Sequence, residues 1–160
     1  MRSFQVFASM PPERATDVLR SIKDEAPGMF AQALAAAAAA FKARPVYLAR
    51  QPMEKQAASI RRALARVTAN TIAEELLAVY FLECKKNLLI EWLDLLGIAH
   101  EDGTLEENAP PAPPKAKLAK AARAFRKKDD DTDREVLLAA FAAQSAIDWP
   151  DLEALIGEGG

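Results

Sequence analysis

The residues best able to do chemistry lie between Glu83 and Asp102. Glu83, Asn87, Glu91 and Asp94 recur at spacings of three and four, which on a helix places them in one stripe. An inward-facing stripe of carboxylates demands a metal, a cation or an arginine, because a buried charge without a partner is costly. Bundle proteins that hold metal pairs on inward glutamates add a histidine three residues after a glutamate. This chain has a single histidine, His100, and no such pair. Glu83, Glu91 and His100 are therefore the candidate metal ligands, and the reading preferred over a metal site is a solvated helix edge.

Other chemistries have less to stand on. His100, Glu101 and Asp102 group potential ligands in a loop after a helix end, where a histidine is favoured by the helix dipole alone. Cys84 sits between Leu82 and Leu88 on an apolar stretch and reads as a core thiol; a nucleophile needs an oriented base beside it. One cysteine also excludes an internal disulfide and a multi-cysteine zinc site. No phosphate-binding loop, dinucleotide turn or paired-histidine motif occurs. The sequence thus assigns no catalytic residue and no cofactor, and it reads as a non-enzymatic chain.

Charge offers a different chemistry. Between residues 42 and 66 there are seven basic residues against one acid, Glu54, and between 115 and 128 seven against none. Arg61, Arg62 and Arg66 in the first segment, and Lys120, Arg123 and Lys127 in the second, are the candidate contacts for an anionic partner. In the second segment Leu118, Ala121, Ala122 and Phe125 make a narrow apolar stripe, so that helix buries one face and presents positive charge elsewhere. Acidic residues flank it on both sides, at 101–107 and 129–133. They repel a phosphate backbone as strongly as the helix attracts it. Aromatic side chains interleaved with the basics are scarce, which weighs against stacking on single strands.

Helices must position all of these residues. The chain has 160 residues, enough for one domain with a real core. Of its apolar residues 34 are alanine, the strongest helix former, and no sustained β-branched alternation appears. The expected fold is all-α, a compact bundle of about six helices. Pro11-Pro12, Pro27 and Pro52 are helix openers, and Thr71-Ile72-Ala73-Glu74 fits a capping box. One helix over 52–96 would run about 68 Å at 1.5 Å per residue, too long for a compact domain, so a break is expected near Asn70. The central helix then spans about 71–96. Its large apolar residues cover nearly its whole circumference, the mark of a helix at a bundle centre or an interface.

The expected organisation is a helical core over 1–97 with an extended arm at 1–9, a loop and proline-rich linker at 98–114, and a helical tail over 115–157 docked on the core as one domain. No stretch is long and apolar enough for a membrane span, and no secretory signal is visible, so the expected location is cytoplasmic. The functional expectation is an interaction or regulatory module acting through protein–protein contacts, as a homo-oligomer or with another protein, using Phe81, Leu89, Trp92 and Leu93 of the apolar girdle. The alternatives are an anion-binding module on the two basic segments, with nucleic acid the less favoured ligand, and a bundle enzyme or metal protein built on Glu83 and Glu91.

Overall fold

The computed structural model describes residues 1–128 and 133–159. The acidic run at 129–131 and Thr132 after it lie outside the described residues. The chain is all-α apart from one small hairpin. In order it forms α1 (Ser3–Ser9), α2 (Pro12–Glu25), α3 (Pro27–Ala40), α4 (Pro45–Ala49), α5 (Met53–Leu64), a 3-10 turn (Val67–Ala69), α6 (Asn70–Val79) and a π-helical turn (Tyr80–Cys84). There follow α7 (Lys86–Leu96), strands β1 (His100–Glu101) and β2 (Thr104–Leu105), then α8 (Lys115–Lys127), α9 (Asp133–Ala143) and α10 (Pro150–Gly159). Among the described residues the ten α-helices outnumber the expected six or so, in part because 3–9 and 45–49 are helical and 71–96 is divided. No described helix is long and apolar enough to cross a membrane.

The chain forms two compact units, Arg2–Cys84 and Lys85–Gly160 with Met1. In the first unit, proline starts α2, α3 and α4, where its missing N–H has no intrahelical partner. Helices α2, α3 and α5 pack on one another. They bury Val18, Leu19 and Ile22 from α2, Phe30 and Leu34 from α3, and Ile60 and Leu64 from α5.

Residues 3–9, read from the sequence as an extended arm, are helical. Ser3, Val6, Phe7 and Met10 are buried at i, i+3, i+4 and i+7, which is helical spacing. Gln5 Oε1 accepts from the Arg2 N–H at 2.8 Å, and Asn70 Oδ1 accepts from the Phe4 N–H at 3.0 Å. Two of the amides orphaned at a helix start are thereby satisfied. Helix α6 begins at Asn70 with Ala69 as its N-cap and no side-chain cap, so Thr71 lies inside the helix and the Thr71–Glu74 box does not form.

The stretch read as one helix over 71–96 is three pieces. Lys85, at φ −130° and ψ 39°, leaves the helical region between the π-turn and α7. The pieces bury different faces: Leu76, Leu77, Tyr80 and Phe81 before Lys85, and Trp92, Leu93 and Leu96 after it. On one continuous helix at about 100° per residue these faces would be centred roughly 140° apart. That is why the segment looks apolar all round.

In the second unit α8 turns Leu118, Ala121, Ala122 and Phe125 inward, as its apolar stripe predicts. A row of ring contacts runs through the unit's core: Trp92 to Phe125 (5.4 Å), Trp92 to Phe141 (6.0 Å) and Phe141 to Trp149 (5.3 Å). The Trp149 indole N–H donates to the Pro110 carbonyl at 3.1 Å and so ties the proline segment to the rings. Residues 100–105, expected to lie in a loop, form the hairpin. Asp102 and Gly103 both have positive φ, 53° and 91°, the conformation of the tight turn that Asp-Gly favours.

The units differ in charge. The first carries eleven basic and eight acidic residues, formally +3; the second carries ten and fifteen, formally −5.

Candidate functional site

The carboxylate stripe does not converge on a centre. Glu83, Asn87 and Asp94 are exposed. Glu91 alone is partly buried, and the Arg134 and Lys128 side chains hydrogen-bond its two oxygens. Arg134 also donates to the Phe125 carbonyl at 3.2 Å, and its guanidinium lies 4.7 Å over the Phe125 ring. Of the partners a buried carboxylate can take, this one takes arginine, and the cluster ties α7, α8 and α9 together. No group of three or more metal-ligating side chains occurs among the described residues. His100 serves the hairpin: its Nδ1 accepts from the Gly103 N–H at 3.1 Å, which leaves Nε2 to meet Asp94 Oδ1 at 2.8 Å. Cys84 is half-buried at the end of the π-turn.

Burial raises the Glu91 pKa, but the hydrogen bonds and charges of Arg134 and Lys128 outweigh it and hold the carboxyl below the ordinary glutamate value. A carboxyl depressed on folding contributes stability at neutral pH and loses it as pH falls through the folded pKa. Unfolding free energy should therefore drop as pH is lowered through and below the range in which a glutamate ordinarily titrates. The Glu91→Gln variant should show a shallower acid limb when denaturant midpoints are measured across that range; an unchanged slope would remove the linkage.

The residues expected to form an interface lie largely inside the chain. Phe81 is 4% exposed, Trp92 and Leu93 0%, and Leu89 is half-buried. The basic candidates separate into three roles. Arg61 is structural: its Nε donates to the Met10 carbonyl at 2.9 Å and its Nη2 to the Ala8 carbonyl at 3.3 Å, covering the end of α1. Lys120, Arg123 and Lys127 lie exposed on α8, while their neighbours Arg126 and Lys128 are paired with Glu135 and Glu91. Arg62 and Arg66 both rest on the Phe41 ring, at 4.6 and 4.7 Å.

Phe41 marks a cationic end of the first unit. It caps the C-terminus of α3. Lys42 follows at φ 54°, with its N–H on the Ala39 carbonyl (3.4 Å) and the Ala43 N–H on that of Ala38 (2.9 Å). This is a helix-ending motif that normally carries glycine at the left-handed position. A lysine there is strained by about 1 kcal/mol, offset in part by its charge at the negative end of the helix dipole. Arg44 and Arg50 flank α4, whose Val46 and Tyr47 are 60% and 61% exposed. Gln56, itself buried, donates to the Ala49 and Gln51 carbonyls and fixes the end of α4. Lys42, Arg44, Arg50, Arg62 and Arg66 make no ion pair among the described residues.

Val46 and Tyr47 do not stand out in the sequence, because a helix of five residues is too short to show a period. The usable signal is Pro45 at a helix start with a tyrosine inside a basic run.

Comparison with protein-family models, with curated proteins and with solved structures finds no match to this chain. What the fold and side chains define is an all-α chain whose first unit presents cations without ion-pair partners among the described residues, and exposed Val46 and Tyr47 on the short α4.

Proposed function

We propose that this chain is a helical interaction module whose first unit binds an acidic protein segment. The observation that carries the reading is the set of five cations, Lys42, Arg44, Arg50, Arg62 and Arg66, around the end of α3 and along α4, without carboxylate partners among the described residues and with Val46 and Tyr47 exposed among them. An exposed apolar pair flanked along its helix by Arg44 and Arg50 suits an interface anchor, where the ring and aliphatic groups supply burial and the flanking charge supplies steering. An acidic protein segment is favoured over a nucleic acid on two grounds. The patch offers apolar side chains that a phosphate backbone cannot use. The formal −5 of the tethered second unit disfavours a long polyanion. A second copy of the chain is one source of such a segment, since its second unit has the complementary sign.

The test is titration of the full chain with a fluorescent amphipathic helix of leucine and glutamate, and separately with duplex DNA. The reading expects binding of the peptide that weakens steeply with salt. Replacing Tyr47 by Ser together with Arg44 by Glu should reduce affinity at least about tenfold, with an unchanged circular dichroism spectrum because both side chains are exposed. No peptide binding at low salt, or tighter binding of the DNA, would overturn it. Sedimentation of the pure protein tells whether a second copy is the partner.

A further inference from the structure

We infer that the Phe41–Arg62–Arg66 cluster and the groove beside it receive an aliphatic side chain and a carboxylate one helical turn apart, on an acidic amphipathic helix. The inference rests on the functional reading above and names the chemistry that its partner must carry. The groove is open, about 400 Å³, and is walled by Ala36, Ala40, Ala63, Ala69 and Ile72, with Arg66 and Thr68 as its polar lining. It exists because α3 meets α5 and α6 through methyl groups, which are too short to fill the space between helices. A leucine-sized side chain entering it exchanges water for apolar wall.

The polar end is held in place before any partner arrives. Arg66 Nη1 donates to the Ala40 carbonyl at 3.5 Å while its guanidinium lies on Phe41, and Arg62 lies on the same half-buried ring. Two guanidinium groups on one ring repel each other, and a carboxylate brought close to them offsets that repulsion. Each presents a planar fork suited to a carboxylate, and the stacking means that little side-chain freedom remains to be lost on binding. Leucine and glutamate three or four residues apart project from the same face of a helix, so one partner turn can supply both groups.

The experiment uses the full chain and three versions of one amphipathic peptide: leucine with glutamate, alanine in place of the leucines, and glutamine in place of the glutamates. Either peptide change should weaken binding about tenfold or more. On the protein, Arg66→Gln should cost roughly tenfold to a hundredfold for the glutamate peptide and be nearly silent for the glutamine one. Ala36→Leu should block the leucine peptide while leaving the weak binding of the alanine peptide unchanged. The peptide series reads the site without touching the protein, so it decides even if Ala36→Leu fails to fold. Binding that responds to Tyr47 and Arg44 but not to Arg66 or to the peptide's leucine would overturn the groove while leaving the functional reading in place. No binding of any peptide would remove both.

Discussion

Trp92→Ala is expected to destabilise the second unit by about 4 kcal/mol. Trp92 is fully buried and is the ring through which α7 meets Phe125 of α8 and Phe141 of α9. Truncation removes its burial and leaves a cavity, and each lost ring pair adds roughly 0.5–1.5 kcal/mol beyond area alone. Trp149, the other tryptophan, then reports unfolding by fluorescence without interference. Trp92→Phe should cost much less, under about 1.5 kcal/mol. The indole N–H is buried with no acceptor among the described residues, and removing it relieves part of a desolvation penalty of about 1–3 kcal/mol. A denaturant midpoint for Trp92→Ala within about 1 kcal/mol of wild type would show that the ring row does not hold the unit together.

The second large effect concerns Glu91 and Arg134. Their side chains are 19% and 5% exposed, so Glu91→Leu takes its carboxylate away from a buried guanidinium that also meets the Phe125 carbonyl and ring. Removing one partner of a buried pair costs about 3 kcal/mol or more. Replacing both, Glu91→Leu with Arg134→Met, should return stability to within about 1 kcal/mol of wild type, because the desolvation of two charges disappears along with their attraction. Lys128 is 64% exposed and contributes little to this balance. The double-mutant cycle is decisive: a coupling energy below about 0.5 kcal/mol would mean that the pair is not energetically linked.

Both effects lie in the stretch that the amino-acid pattern describes least well. Leu88, Leu89, Trp92, Leu93 and Leu96 are plainly apolar and helical in the sequence, but whether they face a partner or a core depends on how the chain turns at Lys85. A lysine between Cys84 and Lys86 carries no stop signal of the kind that proline or glycine supplies. Helix propensity is a weak local preference that packing overrides, and here it is the different inward faces of the two halves that set the break. The short elements were hidden for a related reason. α1 has seven residues and α4 five, too few for a 3.6-residue period to declare itself, and the hairpin strands have two each.

By itself the sequence determined the all-α class, the helix starts at Pro12 and Pro27, the start of α5 just after Pro52, the inward stripe of α8 and the basic character of 42–66. These follow from local rules: alanine content, proline's fixed φ and missing donor, and the period of apolar residues. The tertiary structure decided which charges are occupied and which are open. Arg61 and Arg134 are equivalent to Arg62 and Arg66 in composition. Yet the first two are spent on the Met10 carbonyl and the Glu91 carboxylate, while the second two lie on Phe41 with no carboxylate partner among the described residues. Partner choice is a matter of distances between residues far apart in the chain, Arg61 with Met10 and Arg134 with Glu91. No local pattern encodes those distances; only the packing of α1 on α5 and of α7 on α9 brings the groups within reach.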